Sequence, residues 1–255
     1  MRSTLHPCYY RRFRRPTAVA YIVFCFVFAR GACCSNVLFK VVTSKCTEDI
    51  AWLRAAFPDD LTVCAKRECL VQNGDGLPID ETCSIEKNAG LETAAYLNYI
   101  KSRLESQDSL PFEVAFVHGH ETAWHHRYKG PLVDAIRRTN ATRAGGYVSL
   151  NARFLGPLPP AHLREIEGMW TRIIAPYMGP WPCAGGLYPP CCAQFRVTRE
   201  RILAVPRAAW ARWLDYSLEG PVQAKQFEFV WHVLFGQPCV MGVTDEDEYL
   251  RNNFW

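Results

Sequence analysis

The stretch FVHGHETAWHH, residues 116–126, gathers four of the chain's seven histidines and a glutamate directly behind an apolar run. At an extended strand end, side chains two apart point the same way, so His118 and His120 can face one cation together. Glu121 and His125 would complete the ligand set from the following loop. Imidazole and carboxylate ligands suit zinc, manganese or iron better than magnesium, with manganese or zinc the expected ion. A divalent ion held there could act as a Lewis acid or generate a bound hydroxide. The bland alternative is a polar loop whose histidines hydrogen-bond backbone, with Trp124 packed among them.

A second pair, Glu228 and His232, lies four residues apart in QAKQFEFVWHVLF, residues 223–235. Read as one helix, Phe227, Val230, Trp231 and Leu234 form its buried face, and Glu228 and His232 share the adjacent stripe. A carboxylate orienting an imidazole is a general-base arrangement. The alternative is an i,i+4 pair that stabilises a helix by a few tenths of a kcal/mol. Glu48 and Asp49 follow the first apolar run, where they could contact a ligand. Helix-dipole effects account for them equally well. The sequence holds no G-x-S-x-G elbow, no phosphate-binding glycine loop and no H-E-x-x-H, which sets aside serine hydrolases, P-loop proteins and zincins.

The elements that must position these residues alternate. NVLFKVVT (36–43) is a nearly continuous β-branched and apolar run, suited to a strand buried on both faces. A helix is expected from Thr47, as N-cap, to Pro58. LTVCA (61–65) is a second strand, ETAAYLNYIKSRLES (92–106) a helix with Tyr96, Leu97, Ile100 and Leu104 as its apolar stripe, and FEVAFVH (112–118) a third strand. GGYVSLNARF (145–154) and CAQFRVT (192–198) read as further strands. A helix opens near Arg199, breaks at Pro206 and restarts behind it, with Trp210, Trp213, Leu214 and Leu218 as its buried face. This order predicts a single α/β domain over residues 36–240, with a mainly parallel central sheet flanked by helices. Right-handed crossovers then gather the strand carboxyl ends, and with them residues 43–49 and 118–126, on one edge. Residues 241–255 form an acidic C-terminal tail, which a solvated chain end explains better than a metal site.

The formal charge of +4 is uneven: six arginines and no acidic residue fall in residues 1–31, leaving 23 basic against 25 acidic side chains beyond them. A nucleic-acid partner is therefore not expected. The arginines precede TAVAYIVFCFVFA (17–29), the pattern of a secretory signal peptide or of a signal anchor that holds the protein to a membrane. Of twelve cysteines, ten lie beyond this leader. An even set in an oxidising lumen implies disulfides, with adjacent Cys191 and Cys192 expected to bond to different partners. Asn140-Ala141-Thr142 is a glycosylation sequon that fits the same secretory compartment.

TEDIAWL, NAGLETAAYLNYI, FVHGHETAWHH, GGYVSLN, CCAQFRVTRERI with Pro206 behind it, and FEFVWHVLFG together resemble, in order and spacing, the eukaryotic domain-of-unknown-function family 3431. The resemblance covers most of residues 36–240, and its most specific parts are Cys-Cys-Ala-Gln-Phe and Glu-x-x-Trp-His-x-x-Phe-Gly. That family is similar in layout to glycosyltransferases of the GT-A fold. The likeness implies a nucleotide near Glu48 or Asp49, a metal near His118–Glu121 and a catalytic base at Glu228. The chain departs from that pattern in having no Asp-x-Asp after the third strand.

The expected function is thus a secretory-pathway, metal-assisted glycosyltransferase-like enzyme. It would use a nucleotide-sugar donor and a glycan or protein acceptor, with Glu228 and His232 as base. A metal-dependent hydrolase and a non-catalytic secreted binding module are the alternatives.

Overall fold

The computed structural model describes residues 38–70, 78–106, 110–122, 131–151 and 154–241. The leader, His125 and the tail from residue 242 lie outside them. Strands β1 (Phe39–Lys45), β2 (Leu61–Ala65), β3 (Glu113–His118), β4 (Tyr147–Ser149) and β5 (Phe195–Thr198) form one sheet in the order β2-β1-β3-β5-β4. β1 pairs in parallel with β2 and β3, as the alternating pattern predicts. β5, however, runs antiparallel to both β3 and β4, so the sheet is mixed. The reason lies in the long connection before β5. Leu150 N–H donates to Gln194 O at 2.8 Å, so the chain leaves β4 and re-enters β5 at the same edge and must run back.

The helices are α1 (Ala51–Ala56), α2 (Arg67–Leu70), α3 (Leu91–Glu105), α4 (Leu132–Arg138), α5 (Pro160–Met169), α6 (Ala175–Met178), α7 (Arg199–Leu203), α8 (Arg207–Ser217), α9 (Pro221–Gln226) and α10 (Trp231–Leu234). Successive strand residues point to opposite faces, and both faces are covered. Val42, Val114 and Phe116 pack with Tyr96 and Ile100 of α3 and with Trp210 and Trp213 of α8. Val41, Val63, Ala115 and Val117 pack with Leu53 of α1 and Ile136 of α4. Phe195 joins the halves of the larger cluster, its ring 5.2 Å from Phe116 and 5.3 Å from Trp231.

Several sequence expectations are corrected. The first helix does not begin at Thr47, which is exposed, but at Ala51, four residues later in the chain. Lys45 Nζ donates to Glu48 O at 2.7 Å and Glu48 accepts from Cys46 N–H, which folds residues 46–48 into a tight loop instead. Asp49 Oδ1 accepts from Ala51 N–H at 2.9 Å. The last helix is not continuous either. After α9 the chain makes a 3-10 turn over Phe227–Phe229, and Val230 leaves the helical region at φ −124° before α10. Among the described residues, GGYVSLNARF forms the three-residue β4.

Disulfides join Cys46 to Cys69, Cys64 to Cys83 and Cys183 to Cys239, and Cys191 pairs with its neighbour Cys192 rather than with a distant partner. This cysteine usage fits an oxidising compartment. Among the described residues no helix is long and apolar enough to cross a membrane.

Candidate functional site

The strand order reverses at β1: the chain passes from β1 to β2 on one side, then places β3 on the other. A crevice outside the carboxyl ends of strands at such a point is where ligands of open α/β sheets bind. The register sets Ser44 of β1 opposite His118 of β3 and Cys64 of β2. These residues share the face turned to α3. Lys66, two residues beyond Cys64, falls on that same side.

Glu92 stands in the first turn of α3, where the helix dipole favours a carboxylate. Its Oε1 lies 3.4 Å from His118 Nε2, with both side chains less than one-fifth exposed. Burial works against the Glu92 charge. The adjacent His118 and Lys66 and a backbone hydrogen bond outweigh it, and the carboxyl is held down at about 2. His118 is raised in turn: burial opposes its charge, but Glu92 and then Glu228 overcome that. Glu228 itself is pushed up to about 7, first by burial and second by the Glu92 charge, against the weaker pull of His118 and Lys225. The two carboxyl groups are thus driven in opposite directions, Glu92 toward the charged form and Glu228 toward the neutral one.

Neighbouring backbone holds this cluster in place. Among the described residues the non-glycine positions at positive φ are Leu91 at 50°, Cys192 at 70° and Ala193 at 41°. Leu91 adjoins Glu92, and the other two precede Gln194. Conformations of this kind cost on the order of 1–3 kcal/mol each and persist where the surroundings fix them. Gln194 Oε1 accepts from His118 N–H at 3.0 Å, and Gln194 Nε2 donates to Asn151 Oδ1 at 2.9 Å. Asn151 Nδ2 donates in turn to Cys191 O at 2.7 Å. The Cys-Cys-Ala-Gln segment is thus a clamp on the end of β3. Gly119 follows His118, and a side chain there would meet Glu48 Cβ at 2.8 Å, so only glycine lets the loop approach Glu48. Trp52 Nε1 closes the same contact by donating to Gly119 O at 3.0 Å.

Of the residues singled out in the sequence, the fold brings His118, Glu228 and Glu48 to one edge. His120, Glu121 and Asp49 are exposed. His232 is fully buried, and burial lowers it to about 4 against the opposing effect of the Cys239 backbone. It serves the core and does not pair with Glu228, because the break at Val230 destroys the helical i,i+4 stripe. Of the expected ligand set, His118 lies against Glu92, His120 and Glu121 are exposed, and His125 lies outside the described residues; among the described residues no group of three or more His, Cys, Asp or Glu is placed to hold a metal ion.

Sequence reasoning missed Glu92, Tyr96 and Lys66. Tyr96 lies one helical turn beyond Glu92, fully buried with its hydroxyl lacking a hydrogen-bond partner, and burial followed by Glu92 raises it far above its ordinary value. The signal for Glu92 was its place at the start of a helix that follows a sheet edge. A cleft of about 510 Å3, lined by Cys46, Thr47, Glu68, Lys87 and Asn88, opens beside the β1 loop and the turn before α3.

No curated protein and no solved structure matches the chain. The sequence profile of a family of proteins of unknown function, DUF3431, matches residues 41–250, from inside β1 into the acidic tail. Most of the chain lies within that match, and the protein belongs to the DUF3431 family.

Proposed function

We propose that the protein is a glycosyltransferase-like enzyme of the secretory pathway, moving a sugar from a nucleotide donor to an acceptor hydroxyl. The observation that carries this reading is Glu228, a half-buried carboxyl poised at about 7, beside the Glu92–His118 pair at the sheet's switch point. General-base catalysis works best when the base titrates near the working pH. In the proposed step the Glu228 carboxylate takes the acceptor's proton as its oxygen bonds to the anomeric carbon. The sugar–phosphate bond breaks, and its electron pair leaves with the nucleoside diphosphate. His118, held protonated by Glu92, adds positive charge at the edge where that leaving group would lie. The GT-A-like layout suggested by the sequence is compatible with a ligand edge between β1 and β3. The reading rests on the site, since one fold serves many chemistries.

The test is a screen of nucleotide sugars for donor cleavage and transfer by the full chain, beside Glu228→Gln. Turnover of a donor that falls about 100- to 10,000-fold in the variant is expected. Full activity in Glu228→Gln, or no donor turned over or bound by the wild type, would sink the reading.

A further inference from the structure

Lys66 is 6 % exposed, and the carboxylates whose charges act on it are Glu92 and Glu48. Burial lowers its pKa, with Glu92 and Glu48 acting against that effect. Neither carboxylate is spent on it. Glu92 engages His118, and Glu48 Oε2 accepts from Cys46 N–H. A lysine so far withdrawn from water, with no acceptor of its own, is a cation that an anion can complete. The backbone fixes where it stands: Lys66 N–H donates to Lys45 O at 2.9 Å, which continues the β1–β2 ladder past the sheet edge. The side chain therefore emerges on the α3 side with Ser44, whose buried hydroxyl lacks a partner. Tyr96 OH is a second unpartnered polar group on this side. Unsatisfied buried polar groups are rare in folded proteins, and two on the α3 side of the β1–β2 edge, beside a lysine, are a place where a ligand could complete the set.

We propose that Lys66 binds the diphosphate of the nucleotide donor and neutralises its charge, in the role a divalent cation would fill. This rests on the transferase reading above. A lysine is a point charge with rotatable donors, suited to phosphate oxygens without fixed geometry.

The experiment is calorimetric titration of the full chain with uridine diphosphate and guanosine diphosphate, in chelator and again in manganese, repeated on Lys66→Met and Lys66→Arg. Binding of at least one nucleotide in chelator is expected. It should weaken at least about tenfold in Lys66→Met, survive largely in Lys66→Arg and be competed by inorganic pyrophosphate. Binding that requires manganese, or that is unchanged in Lys66→Met, overturns the role of Lys66 and leaves the transferase reading standing. Failure of both nucleotides to bind with or without manganese overturns the transferase reading itself. Should Lys66→Met not fold, acetylation of Lys66 in the wild type is read by mass spectrometry: protection by nucleotide supports the role, and an unchanged rate refutes it.

Discussion

The two ends of β3 each carry a charged pair between a strand and another element, and they are built to opposite ends. At the amino end Glu113 is bonded to Arg196 of β5, with side chains 4 % and 13 % exposed. Glu113 also accepts from Thr142 N–H and Oγ, while Arg196 Nη1 donates to Ile136 O at 2.9 Å and its guanidinium lies 4.3 Å over the Phe39 ring. The guanidinium and carboxylate there hold each other as an ion pair, although Arg196 Nε makes no hydrogen bond of good geometry. At the carboxyl end His118 and Glu92 hold each other, yet Glu228, Lys66, Tyr96 and Ser44 stand around them with ionisation shifted or hydrogen bonds unmade. A saturated network stiffens a fold, whereas one left open at a crevice is completed by something that binds.

The largest effect separating the two ends is on stability. Arg196→Met leaves Glu113 charged and buried, and a loss of about 3–5 kcal/mol is expected in denaturant titration. Nucleotide binding by the folded fraction should be unchanged. A loss of binding with intact stability would erase the distinction between the ends.

An intermediate effect belongs to the clamp. Gln194→Ala removes the acceptor of His118 N–H and the partner of Asn151, both inside the protein. Leaving such groups unpaired costs about 1–3 kcal/mol. Because the clamp fixes His118, its titration followed by NMR should also move toward the ordinary histidine value. A stability loss without any change in that titration would make Gln194 a core residue only.

Much of the amino-terminal half was legible in the sequence, because buried parallel strands and the α3 stripe repeat with simple periods. LTVCA and FEVAFVH fell within a residue of β2 and β3. The site was legible only in part. Histidine density drew attention to residues 118–126, but His118 matters through Glu92, twenty-six positions earlier, and that contact is a product of the β1–β3 register. Glu228 was marked as one half of a helical pair with His232, but the helix breaks at Val230 and His232 is buried in the core, so that pairing was not legible. Local spacing described elements well, whereas pairings across the sheet edge needed the strand order.

The smallest and sharpest effect concerns the pH dependence of the open end. Glu92→Gln removes the second cause that holds Glu228 up, while burial, the first, remains. His118 then loses the carboxylate that kept it charged, so the opposing pull of His118 on Glu228 disappears too. Since Glu92 is the larger of the two, the acidic limb of activity should move down in pH, by less than the loss of Glu92 alone would produce. A 13C carboxyl titration of Glu228 measures this, and an upward movement would show that His118 governs Glu228. Stability follows the opposite side of the same linkage. Glu92 is depressed from 4.5 to about 2, so its contribution is present above 4.5 and is lost as pH falls toward 2. His118 is raised from 6.5, so its contribution is present below 6.5 and is lost as pH rises through the higher folded value. The wild type should therefore exceed Glu92→Gln in stability most between pH 4.5 and 6.5, with the advantage shrinking on both sides. The Glu113–Arg196 end, carrying no histidine, should show no loss on the alkaline side of that window.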